Sequence, residues 1–65
     1  MIPYRIAVTP DGTIEATAFN PNAPRFPFRV VIERRAPGNV IESNVPEGSD
    51  IFRILVKAAR QYVAP

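Results

Sequence analysis

The 65-residue chain contains no cysteine, no histidine and no tryptophan. Without cysteine there is no disulfide. Without cysteine or histidine there is no ordinary zinc site, no thiol nucleophile and no imidazole base. Only three glycines are present, each alone in the sequence, so no glycine-rich phosphate or dinucleotide loop can form. Long apolar runs are also missing. Stretches such as Val30-Val31-Ile32 and Ile54-Leu55-Val56 fall far short of a membrane span, which needs about 20 residues. The opening Met1-Ile2-Pro3-Tyr4-Arg5 lacks a basic segment followed by an apolar one, so no secretory signal is expected and a cytoplasmic location is.

What is abundant is proline, with eight residues. Hydrophobic content of 46% and charged content of 22% are those of a folded domain and argue against disorder. A chain this short buries only about 60% of its unfolded surface, so a small core usually needs a staple. With disulfide and zinc excluded, self-association or a partner is the expected one.

The net charge of +2 conceals segregation. Residues 1–24 sum to −1, 25–35 to +3, 36–50 to −3 and 51–65 to +3. Seven of the eight cations are arginine, the cation suited to bidentate contacts with phosphate and carboxylate.

Tyr4, Ile6 and Val8 alternate with Arg5, Ala7 and Thr9, the period of a half-buried strand. Pro10-Asp11-Gly12 then supplies turn chemistry, and Ile14, Ala16 and Ala18 resume the alternation. Setting Thr9 opposite Thr13 places Val8 across from Ile14 and Ile6 across from Ala16, with every apolar position on one face. Asn20-Pro21-Asn22-Ala23-Pro24 breaks the pattern and reads as a connector. Phe26, Phe28, Val30 and Ile32 begin a second alternating run, with Pro27 near its start. Ala36-Pro37-Gly38-Asn39 reads as a type II turn, followed by a weaker strand over Val40 to Val45. Pairing Arg35 with Val40 would bring Ile41 and Val45 onto the face of Ile32 and Val30, and set Glu33 opposite Glu42.

After Pro46 the period changes. Ser49 is a good helix cap and Asp50 puts negative charge in the first turn. Ile51, Leu55, Ala58, Ala59 and Tyr62 recur at helical spacing, and Arg53, Lys57, Arg60 and Gln61 form a polar side. If Ile51, Leu55, Ala58 and Tyr62 cover the sheet, then Phe52, Val56 and Val63 stay half exposed and offer a dimer seam. The alternative is a helix sunk deeply into a curled sheet.

Catalytic groupings are poor. Ser49 and Lys57 would lie about 12 Å apart along a helix, too far for a serine–lysine dyad. The Glu33/Glu42 pair falls on an arginine-bearing outer face. No enzyme, cofactor or metal is therefore expected. Arg25, Arg29 and Arg35 on the open sheet face, Arg34 near the hairpin end, and Arg53, Lys57 and Arg60 on the helix are the candidate contacts for nucleic acid or an acidic partner. Phe26 and Phe28 have inward parity, which leaves no aromatic stacking platform.

The expectation is an α+β fold of one small domain: a four-stranded antiparallel meander with one C-terminal helix on one face. Hairpins would span 1–19 and 26–45, joined by a connector at 20–25 and followed by a helix over 49–63. The expected core is Tyr4, Ile6, Val8, Ile14, Phe28, Val30, Ile32, Ile41, Ile51, Leu55 and Tyr62. The expected function is non-enzymatic binding to a larger protein, as a homodimer. That is the style of accessory or regulatory chains such as phage-encoded or antitoxin-like inhibitors and assembly factors. The alternative is nucleic-acid binding.

Overall fold

Two hairpins and a helix build the α+β architecture that the periodicities predict. The computed structural model describes residues 3–36 and 39–63, and of Val63 the backbone alone. Strands β1 (Tyr4–Val8), β2 (Thr13–Ala18), β3 (Phe28–Glu33) and β4 (Val40–Ser43) form one antiparallel sheet in sequence order. Helix α1 (Asp50–Val63) packs chiefly across β2 and β3, with a lighter contact to β1.

The first hairpin has the expected register, running without interruption from Tyr4 opposite Ala18 to Val8 opposite Ile14. Its turn explains the precision. The Gly12 N–H donates to the Thr9 carbonyl at 3.2 Å, closing a β-turn, and the Thr9 N–H donates to the Thr13 carbonyl at 3.0 Å. Gly12 has φ +89°, a left-handed conformation that completes the three-residue loop. The Asp11 carboxylate fastens the two strand ends. It accepts from the hydroxyls of Thr9 and Thr13 and from the Thr13 N–H. These bonds favour the charged form, the Thr9 hydroxyl most strongly, so the Asp11 pKa lies below its ordinary value.

The second hairpin differs from expectation. Val30 faces Ser43 and Val31 faces Glu42, but Ile32 faces Val40, with a register shift between Val31 and Ile32. Ile41 is the extra residue of this bulge and is 55% exposed. Glu33 and Glu42 are therefore not opposite each other. Asn39 donates its N–H to the Ala36 carbonyl at 2.8 Å, the closing bond of a turn. Pro37 and Gly38, the central residues of the expected type II turn, lie outside the described residues. Asn44 extends the short β4 with its side chain, accepting from the Arg29 N–H at 2.7 Å and donating to the Pro27 carbonyl at 2.9 Å. The connector is longer than expected, because β3 starts only at Phe28.

The helix starts where its signals place it. Ser49 Oγ accepts from the Phe52 N–H at 3.3 Å, the bond of an N-cap to its third helical residue.

The core is aliphatic. Ile14, Ala16, Ala18, Val30, Ile32, Val45, Leu55, Val56 and Ala59 form one buried cluster, with Ile6, Phe28, Ile51 and Phe52 packed partly against it. Four expected core residues are exposed instead: Tyr4, Val8, Ile41 and Tyr62. Tyr4 and Val8 do share the helix-facing side with Ile6, but they sit on an edge strand that α1 only partly covers. Ile41 is displaced by the bulge. Tyr62 lies on the Leu55 side of α1 by spacing but in the last turn, beyond Ala59, the last helical member of the cluster.

Candidate binding surfaces

The expected seam of Phe52, Val56 and Val63 needs correction. Val56 is only 6% exposed and belongs to the core, and Phe52 is half-buried against it. The Val63 side chain lies outside the described residues. Val56 shares the core cluster with the small side chains of Ala16, Ala18 and Ala59, and the neighbouring Ala58 is buried as well.

The structure nevertheless brings together several expected residues. Phe52, Arg53, Val56, Lys57, Arg60 and Gln61 line one shallow groove of about 600 Å³ along α1. Its floor is apolar and its rim basic. Arg53 is partly neutralised by Asp50, with which it forms an ion pair one helical turn away.

On the open face of the sheet the arginines do not assemble as expected. Arg29 lies there, but its guanidinium bridges Glu15 and Glu42, each at 3.0 Å. The bond to Glu15, and then that to Glu42, raises the Arg29 pKa. Val31 lies in register between these two carboxylates and is only 5% exposed, so the ionic trio flanks an apolar spot on the outer face. Arg29 is thus ion-paired within the sheet, with its side chain still partly exposed. Arg25 sits in the connector, and Arg34 and Arg35 follow β3 towards the second turn, all three exposed. Of the four, Arg29 alone lies within a strand.

A second recess lies at the open end of the first hairpin. Pro3, Tyr4, Arg5, Thr17, Phe19 and Pro27 line most of a cleft of about 420 Å³. Arg5 is exposed and makes no ion pair among the described residues. This cleft escapes the sequence reading. A signal was present, because the odd parity of Phe19 continues the outer-face row of Glu15 and Thr17, next to Arg5 in register. Phe26 also departs from expectation. It precedes β3, so strand parity does not apply to it, and it is 72% exposed.

The aromatic residues share one property. Tyr4, Phe19, Phe26 and Tyr62 are exposed, while Phe28 and Phe52 are half-buried. None of the six aromatic side chains is fully buried.

Among the described residues no three of the acidic side chains gather as a metal site would require. Ser49 Oγ is engaged as a cap and donates to the Pro46 carbonyl at 2.7 Å. No helix of the described residues is long and apolar enough to cross a membrane. No family model, curated protein or solved structure matches this chain.

Proposed function

We propose that the chain is a non-enzymatic, cytoplasmic protein-binding module of accessory or regulatory kind, working as a homodimer. One observation carries the reading: a small protein with little core leaves four of its six aromatic side chains, Tyr4, Phe19, Phe26 and Tyr62, exposed and buries none of the six fully. Burying a phenylalanine side chain contributes about 1.5–3 kcal/mol, so leaving Phe19 62% and Phe26 72% exposed forgoes stability that a small fold needs. Aromatic residues are enriched where protein partners dock, because they bury large areas at low entropic cost. The groove along α1 adds a basic rim to an apolar floor and suits an acidic, partly apolar segment.

The test is comparative capture from the native host by wild-type protein and a Phe19→Ser/Phe26→Ser variant, with bound proteins quantified. The reading predicts a partner retained by the wild type and lost by the variant, with an unchanged thermal melt. Identical capture profiles would contradict it.

A second reading has its own support. Phe19 and Tyr4 share a cleft with unpaired Arg5, and Phe26 adjoins exposed Arg25. Aromatic faces beside guanidinium groups suit single-stranded nucleic acid. Salt-dependent mobility shift with mixed-sequence single strands separates the two readings. Binding that weakens steeply with salt and is lost in Arg5→Ala favours nucleic acid.

A further inference from the structure

The two edges of the sheet are not equivalent, and one is built to accept another strand. β4 has four residues, is bulged against β3 and passes directly into the Asn44 clamp, features that discourage pairing at its free side. β1 has five residues, all in regular register with β2. The Thr9 N–H donates to the Thr13 carbonyl, which fixes the parity of the ladder. Odd-numbered residues of β1 turn their N–H and C=O groups toward β2, so Tyr4, Ile6 and Val8 turn theirs outward. The same residues leave apolar side chains uncovered on the helix side, with Tyr4 44% and Val8 42% exposed.

We infer that β1 pairs antiparallel with β1 of a second copy, centred on Ile6, and that this is the seam of the homodimer. The inference rests on the homodimer part of the function proposed above and specifies where the copies meet. Three arguments select the register.

Outward-facing groups must meet outward-facing groups, so Tyr4, Ile6 and Val8 can pair only with one another. That excludes every register offset by one residue. Centring on Arg5 would set two unpaired arginines opposite each other, which is unfavourable. Centring on Ala7 would put Tyr4 against Pro10, which has no N–H to give.

Centring on Ile6 avoids both faults. Tyr4 then faces Val8 of the second copy, Ile6 faces its equivalent, and Arg5 faces Ala7. The arrangement is isologous, with a two-fold axis normal to the sheet. Both helices lie on one face of a continuous sheet, and the exposed Tyr4 and Val8 side chains of each copy fill the space between them.

The test uses the outer face, where substitution leaves the core untouched. Ala7 is exposed and sits opposite Glu15 of its own β2, so Ala7→Lys suits the monomer. In the dimer it sets lysine against Arg5 twice. Sedimentation from about 1 µM to about 1 mM should show a reversible dimer for the wild type. Ala7→Lys should weaken it about 3- to 10-fold, and the double variant Arg5→Glu/Ala7→Lys should restore it through paired opposite charges. Circular dichroism melts of the variants confirm that each is folded. A strictly monomeric wild type overturns both the homodimer and this seam. A dimer indifferent to Ala7→Lys and to the double variant overturns the seam alone.

Discussion

The two hairpins use the same ingredients, alternating strands around a proline–glycine turn, and finish differently. The first is straight and pinned at its turn by Asp11, Thr9 and Thr13. The second slips by one residue, throws Ile41 into solvent and is held at its far end by the Asn44 side chain. A turn that fastens both strand ends sets register locally, whereas a bulge lets the two ends of a hairpin keep different registers. The outer edges inherit this difference. β1 is regular and open, and β4 is short and irregular.

The largest test of the comparison is a pair of like substitutions, one in each hairpin. Ile14 is fully buried and Ile41 is 55% exposed. Ile14→Ala should cost about 2–5 kcal/mol, enough to unfold a chain of this size, while Ile41→Ala should change denaturant stability by about 0.5 kcal/mol or less. Equal effects would mean that Ile41 is a core residue and that the bulge is misplaced.

Next come the fastenings. Gly12 has open space where a Cβ would sit, so Gly12→Ala tests backbone strain alone at φ +89°. It should cost about 1 kcal/mol or more in a thermal melt. Asn44→Ala removes two side-chain bonds to β3 and its approach, and should cost about 1 kcal/mol. Amides near the far end of the second hairpin should then exchange faster, with those of the first hairpin unaffected.

The smallest effect concerns pH. The folded Asp11 carboxyl titrates below its ordinary value of 3.8, because the Thr9 and Thr13 hydroxyls hold its charged form. Its contribution is therefore fully present above that ordinary value and is lost as pH falls through the lower folded one. Melts between about pH 6 and about pH 2 should show part of the acid destabilisation disappearing in Asp11→Asn, which keeps an acceptor oxygen but does not titrate there. An unchanged acid profile would remove Asp11 from the account of the turn.

Much of this was legible in the sequence, for identifiable reasons. Pro10-Asp11-Gly12 between matched threonines dictates the first register, and Ser49-Asp50 dictates the helix start. The second register was not legible, since a bulge is a backbone event with no side-chain signature of its own. Parity put Tyr4 and Val8 on the correct face but says nothing of whether a helix reaches that far across the sheet. Ala16, Ala18, Ala58 and Ala59 each carry little hydrophobic signal because each is small, yet all four are buried along with Val56. The ion pairing of Arg29 was not legible either, because only the register brings Glu15 and Glu42 to either side of it. The cleft around Arg5 and Phe19 depended on three separated segments meeting at one end of the sheet.

The proposed seam makes β1 an open edge completed by a second copy and leaves β4 without one. Amide hydrogen exchange followed by NMR at low and high protein concentration tests it residue by residue. The Tyr4, Ile6 and Val8 amides should exchange readily when dilute and become protected as concentration rises, with β4 amides unchanged. Fast exchange of these three at every concentration, or protection gained along β4 instead, would contradict it.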